Sequence, residues 1–523
     1  MYLTQGLHRA VQQCPERIAT IEGDERWSYR QLAERVARLA AAMRRAGVED
    51  GDRVALLSLN SNFCMEFFLA AWWAGAVAVP VNTRWAPVEM SFGINDVGAS
   101  LLFVERTFLS AAPYLKQECP SLNGNIVVVG EGDSQGFTSY AQFIDGVAPI
   151  EDRLRSGDDL ACIVFSGGTT GTPKGVMLSH MNMWSSQIAG RAENAPLPLV
   201  ITLMAPPLFH TAALGKLVAQ VMLGGTSVMM PAFDVGELIR LIQQENVNDV
   251  MWVPSMVQML LDHPDAVGAD FSCLKRITYG AAPMPLALLE RAQKVFTEAE
   301  FIQAYGMTET APVISMNNWE NHLPAAWASG RIRSAGKATM ATQVRIVDEH
   351  DQELPRGQVG EIIVRGPNVM LGYWGRPEET AETLRGGWMH TGDGGYMDDD
   401  GYIYVVDRIK DMIVSGGENV YSAEIENVLM RHPAVSQCAV IGIPCTKWGE
   451  AVHAVVVLHP GSEADEALLQ QHCRDSLAGY KVPKSVEFLK ELPYSGPGKV
   501  LKFVLRQKYW DQPQTAADQQ QSV

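Results

Sequence analysis

Between about residue 20 and residue 260 the chain alternates two textures, and that alternation limits the fold more than any other feature. Segments with helical periodicity, such as SYRQLAERVARLAAAMRRAG (28–47), are interleaved with short apolar runs: RVALLSL, SLLFVE, NIVVVG and ACIVFSGG. A period near 3.6 buries one stripe of a helix, whereas an unbroken run of four to eight apolar residues reads as a strand covered on both faces. Strands separated by helices pair in parallel. The expected class is therefore α/β: a large N-terminal domain of parallel sheets covered by helices. Between Ala338 and Tyr404 the texture changes to strands without long helices, with turn chemistry at DEHD and LPRG, which predicts a small β-rich subdomain. After Asp407 come two α/β stretches, SAEIENVLMRHPAVSQCAVIGI and AVHAVVVLHPG, the second leading into a helical run. These predict a smaller C-terminal α+β domain, with Ser422 as the N-cap of its first helix. The boundaries read as 1–406 and 407–523, in keeping with 523 residues being too many for one core.

Composition removes several function classes. A net charge of −17 argues against nucleic acid, whose phosphates require a positive face. The eight cysteines include no C-x-x-C pair and no zinc-type spacing with histidine, so a reduced, cytoplasmic setting is expected. The N-terminus lacks the apolar core of a signal peptide. The longest apolar run, Phe67 to Val79, is too short for a membrane span, which needs roughly 20 residues; a helix ending at Gly75 and then a strand account for it.

The strand ACIVFS opens into GGTTGTPKG, Gly167 to Gly175. Glycines at 167, 168, 171 and 175 allow successive N–H groups to face one concavity, while Ser166, Thr169, Thr170 and Thr172 add hydroxyls and Lys174 adds charge. That combination suits a polyphosphate. It is not a Walker loop, since Pro173 precedes the lysine and no G-x-x-x-x-G-K-[ST] is present.

SGGTTGTPKGV resembles the phosphate loop of the adenylate-forming superfamily, which includes acyl-CoA synthetases, aryl-CoA ligases, luciferases and peptide-synthetase adenylation domains. Gly167 stands where that loop usually has serine, so one side-chain donor is missing while backbone donors remain. YGAAPMP (279–285), QAYGMTET (303–310), GWMHTGD (387–393), DRIKDMIVSGGENVYSAEIE (407–426) and YSGPGKVLK (494–502) are similar to further motifs of the superfamily, in the same order.

The resemblance implies an ATP-dependent acid–CoA ligase of fatty acid or aryl acid metabolism. It would activate a carboxylic acid as its adenylate with release of pyrophosphate, then transfer the acyl group to CoA with release of AMP. ATP and CoA would be co-substrates and Mg2+ the cofactor. Lys499 matches the adenylation lysine, with Glu309 and Thr308 completing the catalytic set. Glu309 and Ser166 would hold the metal. ATP would lie against Ser166, Gly167, Gly168, Thr169, Thr170, Gly171 and Lys174. Gly280, Ala281, Ala282 and Tyr305 would form the adenine slot, Gly306 and Met307 would also meet ATP, Asp393 would hold the ribose, and Arg408 the ribose or a phosphate. His210, Gly280, Ala304 and Gly306 match the acyl pocket, which carries no charge for a second carboxylate and so favours a monocarboxylic acid. Gly416, Gly417 and Trp448 match the CoA tunnel, and Asp407 the hinge about which a mobile C-terminal domain would turn. By residue type alone, His210 reads equally as a satisfied core histidine and Trp448 equally as a buried core residue.

Three other readings stay open on the residues. The same adenylation can load a carrier protein instead of CoA. GDSQG (132–136) formally matches the G-x-S-x-G elbow of serine hydrolases, with Ser134 as nucleophile. A nucleotide-binding pseudoenzyme is disfavoured because Lys499, Glu309 and Asp393 are all present. Expected partners are thus small molecules, with no nucleic acid and no transmembrane segment, and a homodimer is admitted.

Overall fold

The computed structural model describes residues 1–166, 173–194, 197–282, 284–415, 418–445, 447–494 and 500–510. Of the residues singled out above, Gly167, Gly168, Thr169, Thr170, Gly171, Thr172, Gly416, Gly417 and Lys499 lie outside the described residues. The chain divides into two compact units. One comprises Met1–Met284, Glu290–Val344 and Val364–Met389; the other comprises Pro285–Leu289, Arg345–Ile363 and the chain from His390 on.

Two sheets organise the first unit. The larger has nine strands in the order Lys337–Ala338, Ser315–Asn317, Glu300–Tyr305, Arg276–Gly280, Asp249–Trp252, Ile201–Met204, Thr226–Met229, Ile18–Glu22 and Glu25–Ser28. Its inner strands run parallel and antiparallel strands close its edges. The second sheet has eight strands, Leu160–Ser166, Val77–Pro80, Arg53–Leu57, Leu101–Glu105, Ile126–Val129 and Thr138–Ser139 being parallel. On its other side Lys174–Ser179 and then Gly372–Tyr373 add antiparallel strands.

The apolar runs are buried on both faces, as expected for parallel strands. Val54 and Leu56 enter one core, together with helices Gln5–Gln13, Tyr29–Arg45, Asn62–Trp73 and Thr211–Leu223; Ala55 and Leu57 enter another, under helices Pro87–Val97 and Ala112–Glu118. The helix Asn62–Trp73 is buried on every face. Its one carboxylate, Glu66, is held by Arg35 at 2.8 Å and by the hydroxyl of Tyr140, because a buried charge must be paired. The long apolar run thus ends its helix at Trp73 and resumes as the strand Val77–Pro80. No helix among the described residues is long and apolar enough to cross a membrane.

In the second unit, Gln343–Val347, Gly360–Arg365, Met389–Met397 and Ile403–Arg408 form a four-stranded sheet, the expected β-rich element. A five-stranded sheet follows, built on the long hairpin Val435–Cys445 and Gly449–Leu458. Val440, Val452, Ala454 and Val456 pack beneath helices Ser422–Leu429 and Glu466–Arg474. Ala439, Ile441 and Val455 pack on the opposite face with Leu505 of helix Lys502–Trp510.

The start of helix Ser422–Leu429 differs from expectation. Ser422 is its first residue rather than its cap, and the cap comes from 15 residues upstream: the Asp407 carboxylate accepts from both the N–H and the hydroxyl of Ser422 at 2.6 Å. A carboxylate suits a helix N-terminus better than a hydroxyl because it also meets the positive end of the dipole. Spacing along the chain could not reveal it.

Candidate active site

Ser166 ends one strand and Lys174 begins the next, and the two are directly paired across the antiparallel ladder. The segment rich in glycine and threonine therefore joins two strands as a hairpin connection, and the helix His180–Ala192 begins only after the second strand. The Lys174 ammonium is paired with Glu379 and stands 5.1 Å from the centre of the Tyr373 ring. Tyr373 is placed there by its strand, which sets it opposite Val176.

The Tyr373 hydroxyl donates to Glu309 Oε1 at 3.0 Å. Burial, followed by the Glu309 charge, pushes this phenol well above its ordinary range, so it stays protonated and a donor. Glu309 is 6% exposed and sits in the single turn Thr308–Thr310. Its carbonyl accepts the Met370 N–H at 2.9 Å, and the buried Asn368 donates to the carbonyls of Thr310 and Val313 at 3.3 and 2.8 Å. Segment 368–373 thereby holds the glutamate by main chain and side chain together. Lys174 and Glu309 are brought into one region through Tyr373, which residue types alone did not single out, and Ser166 adjoins Lys174 on the ladder.

Two glycines shape the neighbouring rim. Strands Arg276–Gly280 and Glu300–Tyr305 are parallel, with Gly280 opposite Ala304. A Cβ on Gly280 would stand 2.3 Å from the Ala304 carbonyl oxygen, and one on Gly306 would stand 1.9 Å from that of Pro312. No side chain fits at either place. Ala281 follows with φ of 64°, a left-handed backbone that alanine adopts rarely and that clusters at binding sites. Ala281 and Ala282 lie at the surface end of the strand, Tyr305 and Met307 are partly exposed, and Thr308 begins the Glu309 turn. His210 occupies the N-cap position of helix Thr211–Leu223 without a side-chain capping bond and is partly exposed, its ring centre 4.2 Å from that of Phe209.

In the second unit, Asp393 and Arg408 are opposite each other in the four-stranded sheet and pair at 2.6 Å, with Asp393 only 6% exposed. The Asp393 N–H donates to Thr391 Oγ1, which donates to the Ile362 carbonyl. Asp407 Oδ1 accepts the Arg408 N–H at 2.8 Å while its other oxygen caps the helix. Lys502 donates to Ser422 and pairs with Glu426 at 2.7 Å. Trp448 is 37% exposed, with the Lys447 and Lys484 ammonium groups 5.1 and 5.3 Å from its ring centre. The buried-core alternative for this tryptophan is thereby set aside. Ser134 spends its hydroxyl on the Phe137 carbonyl at 2.7 Å, in a turn.

Among the described residues no group of three or more His, Cys, Asp or Glu side chains could hold a metal ion. What the site offers is a buried carboxylate, Glu309, together with the Ser166 hydroxyl. An oxygen-only set this small fits Mg2+ held largely by water and substrate phosphates, and would be poor for zinc.

Comparison with known proteins identifies the scaffold. Residues 7–374 match the AMP-binding enzyme family, and residues 424–499 match the AMP-binding enzyme C-terminal domain. A feruloyl-CoA synthase of an Amycolatopsis species is 41% identical over 96% of this chain and 98% of its own. A fatty acid–[acyl-carrier-protein] ligase of Streptomyces coeruleorubidus is 36% identical over 92% of each. Among solved structures, an anthranilate CoA ligase in complex with anthranoyl-AMP superposes with a TM-score of 0.89 at 28% identity, covering 98% of this chain and 97% of that one. The chain belongs to the AMP-binding enzyme family of the adenylate-forming superfamily and is an AMP-forming acyl-CoA synthetase.

Proposed function

We propose that the enzyme joins a monocarboxylic acid, aryl or medium- to long-chain fatty, to CoA through an acyl-adenylate. The observation that carries this reading is the Lys174–Tyr373–Glu309 arrangement at the mouth of the hairpin connection. Adenylation brings together two anions, a carboxylate and a polyphosphate, so the site must supply positive charge and exclude water. In this reading Lys174 and the 166–171 segment bind the polyphosphate. Glu309 and Ser166 hold Mg2+, which when bound neutralises phosphate charge. Lys499 steadies the α-phosphate and the incoming carboxylate, and Thr308 completes the catalytic set. Gly280 to Ala282 and Tyr305 to Met307 receive the adenine, and Asp393 with Arg408 the ribose. Two glycines without room for a Cβ and a strained alanine support an adenine slot formed largely by backbone.

For the second half-reaction we assign Gly416, Gly417 and Trp448 to CoA; an exposed indole flanked by two ammonium groups is chemically suited to an anionic nucleotide. Asp407 is assigned as the hinge between domains 1–406 and 407–523. His210, Ala304, Gly280 and Gly306 border the acid. Arg276 is buried, but it starts the strand that ends in Gly280, about 13 Å away at strand rise, and is paired with Glu300 at 3.0 Å. It is thus committed elsewhere, which supports an acid without a second carboxylate. Hydroxycinnamic acids are the first to try, since the feruloyl-CoA synthase relative is similar over nearly the whole chain. The eight free cysteines support a reduced, cytoplasmic location.

The test is release of AMP and pyrophosphate from ATP and Mg2+ across benzoic, cinnamic and fatty acids, with and without CoA. Thioester formation that needs CoA and is lost in Lys499→Ala is the expected result. Wild-type pyrophosphate release by that variant overturns the role of Lys499. The carrier-protein ligase among the relatives favours a second reading, in which a carrier's phosphopantetheine takes the acyl group. Adenylation that CoA leaves unchanged would select it.

A further inference from the structure

We propose that Asn60 is a positioning residue for the acid: it fixes the turn that ends in His210 and so sets the acyl pocket without touching the nucleotide. This rests on the reading of His210 given above.

Strand Ile201–Met204 is joined to helix Thr211–Leu223 by six residues, two of which, Pro206 and Pro207, have no N–H to give. A connection so short of donors must have its buried carbonyls satisfied from outside. Asn60 does this. Its amide donates to the carbonyls of Met204 at 2.7 Å and Pro206 at 2.9 Å, and its oxygen accepts the Leu208 N–H at 2.9 Å. Asn60 is 3% exposed, and both ends of its amide are committed to this one turn. Within the turn the His210 N–H donates to the Pro207 carbonyl at 3.1 Å, which delivers His210 to the helix cap.

Asn60 is itself anchored. The preceding N–H, of Leu59, and the Ser58 hydroxyl both donate to Glu105 Oε2, at 2.7 and 2.9 Å. Glu105 ends strand Leu101–Glu105, and Ser58 follows strand Arg53–Leu57, both of the eight-stranded sheet; Met204 ends a strand of the nine-stranded sheet. Glu105, Asn60 and the turn therefore tie the carboxyl edges of the two sheets together. Ligands of parallel α/β sheets sit outside those edges, and Gly280 and Tyr305 end strands of the nine-stranded sheet. The bonds of Asn60 reach only residues 204 to 208, so its influence falls on the His210 side.

Asn60→Asp keeps the shape while removing both donors and setting a carboxylate against two carbonyls; Asn60→Ser is a milder change should the first variant fail to fold. Steady-state pyrophosphate release, with acid and ATP varied separately, reads the effect. Displacing a binding wall is expected to raise the KM for the acid on the order of ten- to a hundredfold, with the KM for ATP held within about twofold. If both constants rise together, or the acid constant does not move, Asn60 is only scaffold and the proposal fails. His210→Ala is measured in parallel. If it raises the acid KM while the Asn60 variants do not, the pocket reading stands and the Asn60 proposal falls. If the Asn60 variants raise it and His210→Ala does not, the turn acts through another residue and the His210 reading falls instead.

Discussion

The hydroxyl of Tyr373 donates to Glu309 at 3.0 Å while its ring faces the Lys174 ammonium, so one side chain touches both charged groups at the hairpin mouth. Tyr373→Phe keeps the ring and deletes the bond. Adenylation is expected to fall roughly tenfold, within the range for loss of one preorganised contact, and more Mg2+ should be needed for half-maximal rate. Titrating pyrophosphate release against Mg2+ checks it; an unchanged midpoint would show that Glu309 keeps its place without the hydroxyl.

Lys174 is also paired with Glu379, a carboxylate 37% exposed. A polyphosphate approaching Lys174 competes with that carboxylate. Glu379→Gln should therefore lower the KM for ATP, by no more than about fivefold because half-exposed pairs contribute about 1 kcal/mol or less. A raised KM would mean instead that Glu379 holds Lys174 in its binding position.

Stability of the first unit should depend strongly on Asp249. Its carboxylate is fully buried, pairs with Lys216 and with Arg191 at 3.4 Å, and accepts from Thr202 at 3.2 Å. Burial lowers the Lys216 pKa to about 8 even with this partner. Asp249→Ala leaves buried cations uncompensated and is expected to cost about 3–5 kcal/mol. Denaturant unfolding of the first unit measures it, and a change below 1 kcal/mol would show that the cations relax to solvent.

Acid should weaken the same unit through His322. Its Nδ1 lies 2.9 Å from the Asn318 carbonyl, which can only accept, so Nδ1 carries the proton and Nε2 accepts from the Tyr279 hydroxyl at 2.8 Å. Burial lowers its pKa from 6.5 to about 4. The folded state therefore binds fewer protons than the unfolded state in that window. The stabilisation is complete above pH 6.5 and is lost as pH falls toward 4. Thermal unfolding followed across this range should show a shallower decline in His322→Gln than in the wild type; equal slopes would assign the acid sensitivity elsewhere.

The parallel sheets were legible because their strands are apolar without alternation: Val54 to Leu57 is buried on both faces, as are Val77–Pro80 and Ile126–Val129. The glycine-rich segment was legible as a phosphate binder because its residue types are unusual together. Its flanking hairpin was not, since KGVMLS is too short and mixed to announce an antiparallel strand. Tyr373 lies outside what residue types reveal because its partner Glu309 is 64 residues away, and the two meet through the short pairing that sets Tyr373 opposite Val176 and through the Met370 and Asn368 bonds to the Glu309 turn. Asp407 shows the same limit: residue types place a helix cap next to the helix, and the one used comes from the preceding sheet. Residue types reveal what a segment can do, whereas partners distant in sequence are set by topology.

The carbonyl oxygens 2.3 Å from a Cβ on Gly280 and 1.9 Å from one on Gly306 bear on how such an enzyme can diverge. Both positions are closed to mutation, because any larger residue collides with main chain that cannot step aside. A lineage changing its preferred acid has to leave this wall untouched and work on others, such as the turn before His210. Libraries built to redirect selectivity should therefore randomise residues 205 to 210 and spare the two glycines.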